Sequence, residues 1–155
     1  MKINFKKAII NFILAYIVVT ILCYSVTIIT GIVLKLPTAE ELGVGIFKEP
    51  AFVLTVSYHL LINLFVWTIF AWFYFRKNDN DTSKLKESVF LGFFWLITAL
   101  LIDMIGFVII KSPFSMTFYQ FYIEYQPWIS ITYFFVFIGP ILSYAISRIK
   151  QLIVS

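Results

Sequence analysis

The chain has 155 residues, 61% hydrophobic, 20% aromatic and 13% charged, with a net charge of +4 and a mean hydropathy of +0.95. A soluble domain is about 45–50% apolar and about a quarter charged, so the composition excludes a soluble enzyme or nucleic-acid-binding domain and points to an integral membrane protein. The single cysteine, Cys23, has no intrachain disulfide partner and no metal-ligand spacing around it.

The chain opens on a short basic stretch containing Lys2, Lys6 and Lys7, followed by an unbroken apolar run over 8–34. A cleaved secretory signal has an apolar core of about 7–15 residues and a small-residue cleavage site. This run is longer and shows no such site, so it reads as a retained first span. On a helix Tyr16, Thr20, Cys23, Thr27 and Thr30 share one face, the expected inward face of that span.

Pro37, Gly43, Gly45 and Pro50 then signal turns in an acidic loop, and Thr38 is positioned to cap a single helical turn. The second predicted span, 51–75, carries Thr55, His59 and Asn63 at four-residue intervals and ends in a cluster of Trp, Phe and Tyr. Such clusters suit a membrane–water interface. The stretch from Arg76 to Glu87 is the most polar in the chain and reads as a cytoplasmic hairpin loop, with Thr82 or Ser83 capping the next helix.

The third predicted span, 88–110, holds one carboxylate, Asp103. At about 100° per residue, Gly92, Ala99, Asp103 and Gly106 fall on one stripe. Small residues on a stripe let helices approach closely where lipid supplies no hydrophobic drive. Phe94 is assigned to the opposite, lipid-facing side. After Pro113, the residues Phe114, Phe118, Phe121 and Tyr122 recur at roughly helical spacing, which predicts a short interfacial helix folded over the mouth of the bundle. The fourth predicted span, 128–147, contains Gly139-Pro140, where a kink is expected.

About nine of the twelve Lys and Arg residues fall in the N-terminal stretch, the loop after the second span and the C-terminal tail. The positive-inside rule then puts both termini in the cytoplasm and predicts a single four-span, all-α domain in the cell membrane.

His59 and Asp103 are the two ionisable side chains in mid-span positions. Both are expected roughly 10–12 Å below the outer boundary, at matching depth for a direct or water-bridged pair. Such residues are costly in a bilayer unless paired or hydrated. The alternative is that each separately holds helices together through hydrogen bonds to neighbouring polar groups. The ligand-contacting candidates are His59, Asn63, Asp103, Glu124 and Tyr133, and the catalytic candidates are His59 and Asp103 as base and acid. Glu124 has a second reading as a solvated loop acid. No metal or cofactor is expected, because one His, one Asp and Glu124 make a poor ligand set.

Three functions follow in order. The first is a ligand-binding, transport-related or accessory membrane protein with an outward-facing polar pocket. The second is a structural or regulatory subunit of a larger membrane complex. The third is a membrane-embedded acid–base enzyme acting on a lipid-like substrate. The expected partners are the bilayer, a further copy or a larger complex, and a lipid-like or small-molecule ligand, with no nucleic acid.

Overall fold

The computed structural model describes residues 3–76, 84–111 and 115–154. The expected caps Thr82 and Ser83, together with Pro113 and Phe114, lie outside the described residues. All regular elements among those described are helical. Helix α1 is Phe5–Leu34 and the short α2 is Ala39–Leu42. A 3-10 turn at Ile46–Lys48 leads into α3, Pro50–Phe75. Helix α4, Lys84–Asp103, continues as a wider π-helical stretch, Met104–Ile109. A π-helical turn, Gln120–Glu124, precedes α5, Trp128–Val154. Among the described residues, four helices are long and apolar enough to cross a membrane: Phe5–Leu34, Pro50–Phe75, Lys84–Ile109 and Trp128–Ile149.

The helix ends follow from local chemistry. Asn4 caps α1, its side-chain oxygen accepting from the Lys7 N–H at 3.0 Å. Thr38 and Glu41 form a capping box around α2, with the Thr38 N–H donating to the Glu41 carboxylate at 2.8 Å. Pro50 occupies the first turn of α3, where its missing N–H costs nothing. Helix α5 continues through the buried Pro140 as one element.

Helix α3 is central. It packs along α1 on one side and α5 on the other, and α5 packs against α4. Helix α4 reaches α1 through side chains: Trp95 Nε1 donates to the Ala8 carbonyl at 3.1 Å, and Phe5 meets Phe90 and Phe94 edge to face. Phe94 is therefore packed on α1 and does not form a lipid-side position.

Two glycines set the closest approaches. A Cβ on Gly92 would lie 2.3 Å from the Phe137 carbonyl oxygen, and one on Gly139 would lie 2.8 Å from Trp67 Cβ. Ala99 is buried as expected. Gly106 departs from the stripe, since a Cβ there would meet nothing within 4 Å. The reason is the change of winding after Asp103. In the i→i+5 pattern each residue turns through less than the 100° of an α-helix, so Gly106 rotates off the packed face.

Gly92→Ala should lower stability by roughly 1–3 kcal/mol, because the added carbon must displace a helix backbone. Gly106→Ala should be tolerated. Thermal unfolding of the two purified variants in detergent checks this, and equal melting temperatures would remove Gly92 from the α4–α5 contact.

Candidate functional site

A cavity of about 1150 Å³ runs down the bundle from the end opposite the chain termini. Its floor is an aromatic cluster. Trp67 lines the cavity and packs against Phe12 and Trp95, with ring centroids 5.4 and 5.5 Å away. Helix α1 supplies one wall through Tyr16, Thr20, Cys23 and Thr27, four of the five residues of its expected inward face.

Asp103 sits where α4 changes to π winding, and its carboxylate is held from two other helices. The Tyr16 hydroxyl of α1 donates to Oδ1, and the Tyr133 hydroxyl of α5 donates to Oδ2 at 2.7 Å. All three residues line the cavity. Two neutral donors, one on each oxygen, offset part of the cost of placing a carboxylate in an apolar interior, at about 1.5–3 kcal/mol per bond if the acid is ionised.

His59 has different partners. Its Nε2 lies 2.9 Å from Thr27 Oγ1, and Thr27 Oγ1 lies 3.0 Å from Thr55 Oγ1. Thr55 gives its proton to the Ala51 carbonyl at 2.7 Å. With Thr55 donating there, Thr27 donates to Thr55 and Nε2–H to Thr27, one assignment that satisfies these contacts; the His59 ring also hydrogen-bonds the Cys23 backbone. Along α3, the Asn63 amide donates to the His59 carbonyl at 2.9 Å, and Trp67 Nε1 donates to Asn63 Oδ1 at 3.1 Å. Thr55, His59, Asn63 and Trp67 thus form one hydrogen-bonded column at four-residue spacing. No hydrogen bond or ion pair joins His59 to Asp103; each is satisfied within its own network.

The mouth is clamped by aromatic rings. Phe47 stacks on Tyr125 with centroids 4.0 Å apart and planes 6° apart, and Phe52 packs against both Phe47 and Tyr125. The ion pair of Lys48 with Glu124 ties the same two segments together. The Glu124 carboxylate holds the Lys48 pKa above the ordinary lysine value. Its contribution is therefore present below that value and lost only as pH rises through the raised one, which keeps the clamp charged across the neutral range.

Of the residues singled out from sequence, His59, Asn63, Asp103 and Tyr133 line this cavity. Glu124 does not, because Lys48 draws it to the mouth clamp. Tyr16 and Thr27 were visible on the α1 stripe, but nothing in the sequence pairs them with Asp103 and His59. Phe47 and Phe52 carried no signal beyond being aromatic. No protein-family model, curated protein or solved structure matches the chain.

Double-mutant cycles separate the two networks. Thr27→Val with His59→Ala should be non-additive by roughly 0.5–3 kcal/mol, since a shared contact can be lost only once. His59→Ala with Asp103→Asn should be additive within about 0.5 kcal/mol. Strong coupling in the second cycle, read from unfolding in detergent, would contradict separate networks.

Proposed function

We propose that the protein is a four-span membrane protein that holds an amphipathic, lipid-like molecule in this cavity, with both termini in the cytoplasm and the clamped mouth outward. The observation that carries the reading is the cavity itself. It combines room for a sizeable ligand with apolar walls and a few convergent polar groups, the usual make-up of a small-molecule site. Lys and Arg gather in the segments at the terminal end, which supports the orientation.

His59 and Asp103 share the cavity but make no direct hydrogen bond or ion pair with each other, so the structure offers a catalytic reading no direct acid–base pair. The polar neighbours of His59 are Thr27, itself within hydrogen-bond distance of Thr55, and the Cys23 backbone. Binding, with transport or an accessory role built on it, fits this arrangement better than turnover. The reading as a subunit of a larger complex stands behind it, since the outward faces of all four long helices carry exposed apolar side chains.

Cys23 lines the cavity and is the only thiol in the chain. Its modification by a small maleimide should slow when the cavity is filled and speed up once bound lipid is stripped by detergent exchange. Mass spectrometry of the gently purified protein should show an amphipathic molecule retained with it. A reporter active only in the cytoplasm should work at the N-terminus and fail at Gly43. No retained molecule together with an unchanging Cys23 rate would count against a binding site, and reporter activity at Gly43 against the orientation.

A further inference from the structure

The cavity has a charge character opposite to that of the whole chain. The net charge is +4, yet among its described lining residues are three carboxylates, Glu41, Glu49 and Asp103, against one ammonium, Lys35. Glu41, Glu49 and Lys35 are at the rim, in or beside the loop between α1 and α3. Asp103 lies below them, and its oxygens accept only neutral tyrosine hydroxyls. Each carboxylate oxygen has a second lone pair, so both retain capacity for a further donor. An ionised carboxylate in an apolar interior is costly until a cation joins it.

The cavity also opens sideways. All the buried residues of α1, Ala8, Asn11, Phe12 and Ala15, lie in its first half. Farther along, Tyr24, Ile28 and Ile32 line the cavity and are nevertheless 46%, 56% and 71% exposed. An apolar chain can lie along this edge while a polar end reaches Asp103.

Resting on the binding reading above, we infer that the ligand is a hydrophobic amine: a protonated primary amine on a hydrocarbon chain, entering along the exposed edge of α1, with its ammonium seated on Asp103 between Tyr16 and Tyr133. The rim acids draw the cation in, and the carboxylate below completes an ion pair away from water. A phosphate beside the amine would find Lys35, at the rim, as the one lysine or arginine among the described lining residues, Lys48 at the mouth being paired with Glu124. The ligand is therefore a simple amine and not a zwitterionic phospholipid headgroup.

The test uses the whole protein in phosphatidylcholine nanodiscs, with dodecylamine, dodecanol and dodecanoic acid as probes. Protection of Cys23 is the readout, corrected for partition into empty nanodiscs. Dodecylamine should protect at roughly tenfold lower concentration than dodecanol, a modest figure for a desolvated charge pair, and dodecanoic acid should protect least. Asp103→Asn keeps the side-chain shape and should reduce the amine to the level of the alcohol. Glu49→Gln, at a residue whose side chain makes no capping bond, should slow association of the amine and leave the alcohol unchanged. That variant and the wild-type ranking decide the matter even if Asp103→Asn does not fold. Equal protection by amine and alcohol, or stronger protection by the acid, would overturn the amine assignment while leaving the binding reading intact. Displacement of dodecylamine by phosphatidylethanolamine would overturn the exclusion of phosphate. Protection by none of the three probes would defeat the binding reading itself.

Discussion

One carboxylate is shared by three helices. Asp103 extends from α4, and its two oxygens are taken by hydroxyls from α1 and α5. The backbones of α1 and α4 do not pack closely along their length. They meet through this contact, the Trp95 bond to the Ala8 carbonyl, the Phe12–Trp95 ring contact and the packing of Phe5. A polar group in an apolar interior is expensive when unpaired, so the carboxylate selects the arrangement that supplies two donors. The π winding begins immediately after Asp103, a type of irregularity that is frequent at functional sites.

The two ends of the bundle differ because their side chains differ. At the end carrying the chain termini, Phe12, Trp67 and Trp95 fill the interior. Beyond them the Tyr74 hydroxyl donates to the buried Glu87 at 2.6 Å, and Lys7 donates to the Tyr74 carbonyl. At the other end α1 lines a cavity with small and weakly polar residues that cannot fill the space between helices. Close packing at Gly92 and Gly139 fixes α3, α4 and α5 as a unit, and α1 leans on that unit through its first half. The cavity is the space that results, capped by the Phe47–Tyr125 stack.

Much of this was legible in the sequence. The four long helices begin and end within a few residues of the expected bounds, apart from a longer last helix, because hydropathy and Pro50 act locally; Thr38 likewise caps the short α2. The column through Thr55, His59 and Asn63 was also legible, since four-residue spacing puts its members on one face of any α-helix. So was a packed Gly92. Phe94 was misplaced because Phe5, its partner, lies about ninety residues away in the chain. Gly106 was misplaced because the regular 100° step stops at Asp103.

The sequence by itself determined that the chain forms four long apolar helices, and that a histidine, an asparagine and an aspartate lie within them. These are properties of short windows, set by side-chain hydropathy and backbone geometry. Only the tertiary structure decided that His59 meets Thr27, that Asp103 meets Tyr16 and Tyr133, and that Glu124 leaves the cavity for Lys48. Partner choice depends on which helices are neighbours, how far each slides along the next and how it is rotated. Those quantities are set by contacts between distant segments, such as the carbonyl of Phe137 against Gly92, and no local pattern records them.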